Sequence, residues 1–290
     1  MNMVVRRNFR SFAALFAGPF AWALVFMIIP YAIMISVSFW TRQFPLFVPD
    51  FQWGNFSQIF SDPQYVTVIL RTLKIAALVT ILSTMLAYPL AYFLVFTVTS
   101  GALRSLLYMS VIVPLWVSYL LRAYTWKIIL GTNGAVNSLL ISFGLIREPL
   151  SAFLYNQTSM VITLVYIFIP FMVMPLFTVL DNIPKALVEA SEDLGVGPFQ
   201  TFWRVIFPLS IGGLAAGATM TFCLSFGDFV APVLVGGPDG TMIANLLQTQ
   251  FGAALNWPLG SALATLVLIL VLVVLRISSR FDRVGQLDMR

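Results

Sequence analysis

Long apolar stretches separated by short polar segments make up most of the chain. Six of these stretches are long enough to cross about 30 Å of hydrocarbon as helices. They lie near residues 12–40, 72–98, 103–130, 157–180, 207–235 and 259–279. The apolar runs are continuous, whereas a strand of a membrane β-barrel alternates apolar and polar residues. The pattern therefore predicts an all-α polytopic membrane protein with about six transmembrane helices.

Two of the six predicted helices are less regular than the others. Residues 1–16 resemble a signal peptide, but the apolar stretch continues to Trp40, which is too far for such a peptide. The fifth stretch contains Gly227 and Pro232, which suggest a helix break at membrane depth. In the same stretch, Gly213 and Gly217 predict close packing against another helix.

The composition agrees with a membrane protein and excludes several kinds of chemistry. Only 9% of the 290 residues are charged, against about 25% in a typical soluble domain. Histidine is absent and Cys223 is the single cysteine, so a histidine-based triad and an internal disulfide are both excluded. None of the three lysines follows a glycine in the frame of a phosphate-binding loop. We therefore expect no catalytic residue, metal site or cofactor in this chain.

The basic residues predict the orientation of the chain in its membrane. Although the net charge is +5 and the pI is about 9.6, basic residues of membrane proteins collect in cytoplasmic segments, and we expect no nucleic-acid partner. With both termini inside, ten basic residues are cytoplasmic: Arg6, Arg7, Arg10, Arg104, Lys185, Arg204, Arg276, Arg280, Arg283 and Arg290. Five or six lie on the other side: Arg42, Arg71, Lys74, Lys127 and Arg147, with Arg122 near a helix end. This asymmetry predicts an N-in, C-in topology.

A conspicuous polar segment, residues 181–208, separates two apolar stretches on the predicted cytoplasmic side, and we call it the polar hairpin. Asp181 and Asn182 are typical N-cap residues, and they predict a short helix over 184–194 that ends at Gly195. A second short helix is predicted over 198–206. The first helix is acidic on one side and apolar on the other, which is typical of docking into a groove of another protein. Association with the lipid surface is the alternative, although such helices are usually basic.

The polar hairpin resembles the EAA motif of permeases from binding-protein-dependent ABC importers. That motif reads E-A-A, three residues, G, nine residues and I-x-L-P. This chain matches it with Glu189, Ala190, Ser191, Gly195, Val205 and Pro208. Ser191 replaces the second alanine, Val205 the isoleucine and Phe207 the leucine. The stretches VPLWVSYLLRAYTWKIIL and GDFVAPVLVGG are similar to permeases of spermidine/putrescine importers.

The resemblance implies a type I ABC importer permease fold and a set of partners. It implies that the polar hairpin couples the chain to a cytoplasmic ATPase, which binds the ATP and Mg²⁺. It also implies a second permease subunit, which we expect to be non-identical, and an extracytoplasmic substrate-binding protein in a bacterial inner membrane. We expect residues 1–70 to form an N-terminal helix and outer loop, residues 71–279 the permease domain, and residues 280–290 a cytoplasmic tail.

A few polar and aromatic residues inside the apolar stretches are candidates for the substrate pathway. Asp228 is the only acid within such a stretch, and an ionisable group at membrane depth indicates a functional site. A cationic cargo such as a polyamine would favour a carboxylate and nearby aromatic faces. The candidate residues are Asp228, Trp116, Tyr119, Arg122 and Tyr124. As alternatives, Asp228 pairs with Arg122 between helices or caps backbone amides beside Gly227.

Three kinds of function differ in the features that they require. An ABC importer permease requires partners and hydrolyses no ATP alone, and its cargo could be a polyamine, another organic cation, an amino-acid derivative or an anion. A gradient-driven carrier requires polar breaks near the midplane of several helices, of which the chain has one. A membrane-embedded enzyme requires catalytic pairs of side chains, and the chain has no candidates for them. The sequence favours the importer permease.

Overall fold

The computed structural model describes residues 16–43 and 46–287. The predicted start of the first helix at residue 12, the arginines at positions 6, 7 and 10, and Arg290 lie outside the described residues. The described chain forms two compact units: one comprises the residues up to Tyr65 and Leu247–Ile269, the other Val66–Leu246 and the residues from Leu270 onward. The division predicted at residues 70 and 279 stays a prediction.

The described residues contain five helices that are long and apolar enough to cross a membrane, or six if one bent pair counts as a span. This confirms the all-α polytopic prediction of about six spans. The helices are α1 (Phe16–Val37), α2 (Gly54–Ser61), α3 (Pro63–Thr97), α4 (Gly101–Ile112), α5 (Tyr119–Leu130), α6 (Ala135–Ser142), α7 (Gln157–Asp181), α8 (Lys185–Asp193), α9 (Pro198–Phe226), α10 (Ile243–Phe251) and α11 (Trp257–Leu287).

The third apolar stretch is not one straight helix, which corrects the sequence prediction. It divides into Gly101–Trp116 and Tyr119–Ser142, whose axes meet at 98°. Pro114 lies in a 3₁₀ turn, Val113–Trp116, Val117 is extended, and Ser118 is also non-helical, with a ψ of 134°. Proline has no N–H for the helical ladder, so the helix tightens and ends here.

The first unit includes a pair of short antiparallel strands, a local exception to the all-α prediction. Its strands are β1 (Thr41–Gln43) and β2 (Leu46–Val48), and Arg42 pairs with Phe47. The buried side chain of Asn55 donates hydrogen bonds to the carbonyl oxygens of Ser38 (2.8 Å) and Trp40 (2.9 Å). These bonds fix the start of α2 against the chain that leads into β1.

The second unit is built around α7, which is the most buried of the long helices. Residues Met160, Leu164, Ile167, Met172, Leu176 and Leu180 of α7 have no exposed surface. Helix α9 packs along it at very close range. A Cβ added to Gly213 would lie 2.8 Å from the Cβ of Val179, and one added to Gly217 would lie 2.8 Å from the sulfur of Met172. The close packing predicted for these glycines is therefore confirmed.

Candidate functional site

The first helix of the polar hairpin, α8, begins without the side-chain cap that the sequence predicts. Asp181 is the last residue of α7, and its carboxylate forms an ion pair with Arg104. Asn182 follows α7, and its side-chain amide donates to the Thr178 carbonyl at 2.8 Å. Pro184 occupies the N-cap of α8. The predicted capping by Asp181 and Asn182 is therefore wrong, because both residues serve the end of the preceding helix.

The end of α8 confirms the stop predicted at Gly195. Gly195 has a φ of +73°, which costs a residue with a Cβ about 1–2 kcal/mol. Its N–H donates to the Glu192 carbonyl at 2.8 Å, and the N–H of Val196 donates to the Ser191 carbonyl at 3.1 Å. These two bonds form a Schellman motif, which satisfies carbonyl groups that the helix end would leave free. The chain therefore reverses sharply after α8.

The reversal brings together two buried hydroxyl groups, those of Ser191 and Thr201, at 2.9 Å. The Thr201 hydroxyl also donates to the Gly197 carbonyl at 3.3 Å. Since that bond uses its proton, the Ser191 hydroxyl is the donor to Thr201. The Ser191 that departs from the EAA motif thus has a bonding partner on the other side of the hairpin.

The sequence predicts a separate short second helix in the polar hairpin, and this prediction is wrong. The helix is the first part of α9, which continues from Pro198 to Phe226. Residues Phe202–Ile206, including Val205, form a π-helical turn, in which the N–H of Phe207 donates to the Phe202 carbonyl. Pro208 comes next and has no N–H to donate to the preceding turn. The wider turn absorbs this missing bond and keeps the helix continuous.

One side of the polar hairpin is anchored in the second unit. Val188 and Phe202 of the hairpin pack against a buried cluster. This cluster contains Tyr88, Leu176, Leu180, Ile183 and Ile206. The Tyr88 hydroxyl also lies 2.7 Å from the Ser210 hydroxyl.

The other side of the polar hairpin is exposed. It carries Glu189, Ala190, Glu192 and Asp193, all exposed. Leu194 is 82% exposed and Phe199 is 75% exposed. Acidic groups and large apolar side chains therefore share one solvent-facing surface, while the opposite side is fixed to the membrane helices.

Asp228 lies in the break that follows α9 and is 7% exposed. One carboxylate oxygen accepts from the Tyr119 hydroxyl, and the other accepts from the N–H of Ala231 at 2.9 Å. Of the alternatives for Asp228, the structure shows capping of a backbone amide. Its contact with Tyr119 also links the break to the first turn of α5.

Arg122 does not pair with Asp228. Its guanidinium donates to the Ile167 carbonyl at 3.2 Å and lies 6.0 Å from the centre of the Tyr119 ring. Arg122 is 8% exposed, and its buried Nε has no hydrogen-bond partner among the residues that the structure describes. We call Asp228, Tyr119 and Arg122 the Asp228 cluster.

The structure does not bring the other two candidate pathway residues into the Asp228 cluster. Trp116 is 87% exposed, at the bend after α4. Tyr124 is 44% exposed, and its ring lies 5.8 Å from the ammonium group of Lys127. Within residues 16–43 and 46–287, neither forms a hydrogen bond with the cluster. The same part of the chain holds no group of three or more His, Cys, Asp or Glu side chains suited to a metal ion.

A family model described as the inner membrane component of binding-protein-dependent transport systems matches residues 83–283. This range includes the whole polar hairpin and the Asp228 cluster. The chain belongs to this family. It is the permease subunit of an ABC importer, a multi-pass protein of the inner membrane.

Similar permeases are known across most of the chain. The spermidine/putrescine permease protein PotB of Haemophilus influenzae is 32% identical over 279 residues, which cover 93% of this chain and 94% of the relative. PotB of Escherichia coli is 36% identical over 256 residues, covering 88% and 92%. The inner membrane ABC transporter permease protein YdcU of Escherichia coli is 38% identical over 235 residues, covering 77% and 74%.

Solved structures agree on the fold of the permease. A chain of a bacterial alginate ABC transporter, in complex with its pentasaccharide-bound periplasmic protein, superposes with a TM-score of 0.78 at 17% identity, covering 97% of this chain and 96% of the other. A chain of the MetNI methionine ABC transporter gives 0.58 at 18% identity, covering 76% and 95%. These likenesses show the type I importer fold.

Sequence reasoning missed two partners within the permease. Thr201 carries no motif signal, and its pairing with Ser191 depends on the reversal at Gly195. In the sequence, Arg104 indicates only the topology, although its side chain contacts Asp181. The available signal for this contact was a basic residue at the start of one apolar stretch and an acid at the end of another.

Proposed function

We propose that this permease forms half of the pathway of an importer whose cargo is a small organic cation, most simply a polyamine of the spermidine or putrescine type. In this proposal the polar hairpin receives the movement of a cytoplasmic ATPase. The Asp228 cluster contacts the cargo as it passes between the two permease subunits.

The observation that carries the coupling role is the two-sided character of the polar hairpin. Its buried side is fixed to α3 and α7 through Tyr88, Leu180 and Val188. Its exposed side offers Glu189, with acids and large apolar groups nearby. A helix of this kind fits a groove on a partner protein, whereas an anionic inner leaflet disfavours acidic groups. A partner that moves this helix would therefore also move the membrane helices.

The cargo proposal is supported by the relatives and by the chemistry of Asp228. The PotB proteins are named for spermidine and putrescine and are similar over most of this chain. Asp228 is a buried carboxylate held by Tyr119 and Ala231. A carboxylate beside an aromatic ring has the chemistry to bind an alkylammonium group.

The proposed assembly contains this chain, a second and non-identical permease, ATP-binding subunits on the cytoplasmic side and an extracytoplasmic binding protein. The ATPase supplies ATP and Mg²⁺ binding, and this chain supplies neither. The membrane is the inner membrane of a bacterium, and both termini of this chain face the cytoplasm. In a gradient-driven carrier, by contrast, this chain would act without an ATPase.

The coupling role is tested in proteoliposomes that hold the complete importer. Replacement Glu189→Lys reverses the charge on the exposed side of α8 without touching the buried cluster. We expect it to abolish ATP-dependent uptake of labelled spermidine while the chain still inserts into the membrane. Glu148→Lys, at an exposed acid outside the polar hairpin, is the matched control and should import normally. Normal uptake by Glu189→Lys, or uptake by this chain alone in an ion gradient, contradicts the proposal.

The cargo is tested in the same vesicles by competition and by the variant Asp228→Asn. Unlabelled putrescine should compete with spermidine, whereas glutamate should not. Asparagine keeps oxygen and nitrogen atoms for hydrogen bonds but removes the charge, so we expect spermidine uptake to fall about tenfold or more. Unchanged uptake by Asp228→Asn would exclude this carboxylate from the pathway.

A further inference from the structure

Three contacts tie the beginning of α4 to the end of α7. The guanidinium of Arg104 forms an ion pair with the Asp181 carboxylate. The same guanidinium lies 5.1 Å from the centre of the Phe177 ring. One turn further along α4, the ring of Tyr108 stacks on Phe177 with a centroid distance of 4.2 Å and an interplanar angle of 22°. We call this set of four residues the α4 latch.

The α4 latch lies where the polar hairpin begins. Asp181 is the last residue of α7, and α8 begins at Lys185. The side chains of Arg104 and Asp181 are 25% and 45% exposed, so water partly screens the ion pair. The ring of Phe177 adds a cation–π contact with the guanidinium. A displacement of Asp181, where the polar hairpin begins, would therefore also displace the first turn of α4.

The other end of α4 leads to the Asp228 cluster. Helix α4 continues through the 3₁₀ turn Val113–Trp116 to the 98° bend, and α5 begins at Tyr119. Tyr119 donates to Asp228, and Arg122, one turn later, donates to Ile167. The stretch from α4 to the start of α5 thus contacts the beginning of the polar hairpin at one end and the buried carboxylate of Asp228 at the other.

We propose that Arg104 and Asp181 are positioning residues that transmit the movement of the polar hairpin, through α4 and the bend, to the Tyr119 contact with Asp228. This inference rests on the proposed coupling role of the hairpin. One route already leads from the hairpin through α9 to the break that holds Asp228. The route through α4 is a second one. The alternative role of Arg104 is to set membrane topology, which requires its charge but not its contact with Asp181.

Charge exchange separates the two roles of Arg104. The variants are Arg104→Asp, Asp181→Arg and the double exchange, each in the complete importer in proteoliposomes. The measured quantities are the membrane insertion of the chain, ATP hydrolysis stimulated by the binding protein, and labelled spermidine uptake. Arg276→Asp is the matched control, since it removes an exposed basic residue of the same predicted side, far from α4 in sequence.

We expect each single exchange to raise the ATP hydrolysed per spermidine imported by about fivefold or more, with insertion unchanged. The double exchange restores the pair in reverse order and should return this ratio to within about twofold of the parent. Arg104→Gln and Asp181→Asn, which break the pair without creating repulsion, should raise the ratio in the same direction.

Three results would overturn the inference. The first is an unchanged ratio in all the single variants. The second is a double exchange that is no better than the single variants. The third is a loss of insertion in Arg104→Asp and Arg104→Gln with a normal ratio in Asp181→Asn, which would assign Arg104 to topology alone. If Glu189→Lys abolishes uptake while the ratio stays unchanged in the latch variants, only the latch fails. If Glu189→Lys imports normally, the coupling role itself fails.

Discussion

Replacement Ser191→Ala restores the alanine of the EAA motif, yet the structure predicts that it weakens the polar hairpin. The Ser191 hydroxyl donates to Thr201 at 2.9 Å, and both side chains are buried, at 8% and 3% exposure. The variant removes the donor and leaves the Thr201 oxygen with one partner fewer. Deleting one buried hydrogen bond of this kind costs about 1 kcal/mol.

The partner substitution Thr201→Val should cost more than Ser191→Ala. Valine has the shape of threonine but leaves the buried Ser191 hydroxyl as a donor without an acceptor, at a cost of about 1–3 kcal/mol. The double variant removes both hydroxyl groups and therefore avoids the unpaired donor. Its cost should be clearly smaller than the sum of the two single costs.

The costs are measured by hydrogen exchange of the permease in lipid nanodiscs, followed in peptides that cover residues 185–200. The N–H of Val196, which donates to the Ser191 carbonyl, reports the opening of the Schellman motif. A loss of about 1 kcal/mol corresponds to about fivefold faster exchange. Ser142→Ala, in the exposed part of α6, is the control and should leave these peptides unchanged. Unchanged exchange in Ser191→Ala, or strictly additive costs in the cycle, would refute the pairing argument.

Three further predictions concern other parts of the permease. Gly195→Ala places a Cβ at a φ of +73° and should destabilise the helix end by about 1–2 kcal/mol, seen as faster exchange of α8 with the chain still folded; exchange equal to the parent would contradict this. Gly213→Val forces a side chain against α7 and should cost about 1–3 kcal/mol, measured as a lower Tm in detergent. Gly212→Ala is its control, because within the described part of the chain no atom beyond its neighbours and its own helix backbone lies within 4 Å of a Cβ there; equal Tm losses in both variants would rule out close packing as the cause. Tyr119→Phe removes the hydroxyl bonded to Asp228 and should lower spermidine uptake about fivefold without loss of insertion, whereas full uptake would exclude a role for this bond.

The membrane helices were predictable because hydropathy over a window of about 19 residues depends on composition rather than on contacts. The bend after Trp116 was not, since the apolar run continues through Pro114 without a polar interruption. The short helix predicted over 198–206 and the apolar stretch predicted from residue 207 form one helix, α9, and this continuity was missed for the opposite reason. Arg204 interrupts the apolar run, but the helix passes through it by way of a π turn.

The motif residues of the polar hairpin were recognised by their resemblance to the EAA motif in residue type and spacing, and the stop at Gly195 follows from the conformational freedom of glycine. The contacts of that hairpin were harder to predict. Asp181 has the right residue type for an N-cap, but its carboxylate is used by Arg104, which lies 77 positions away in sequence. Long-range partners of this kind depend on the packing of α4 on α7, which local residue preferences do not contain.

The interlocking of α7 and α9 at Gly213 and Gly217 limits how the polar hairpin can move. The hairpin joins the end of α7 to the beginning of α9, and at Gly213 and Gly217 these helices lie so close that an added Cβ would overlap Val179 or Met172. A pull on the hairpin would therefore displace both helices together by the same amount, with no slack between them. A movement received by the hairpin would thus reach the second unit as the displacement of one rigid helix pair, and α7 would not separate from α9.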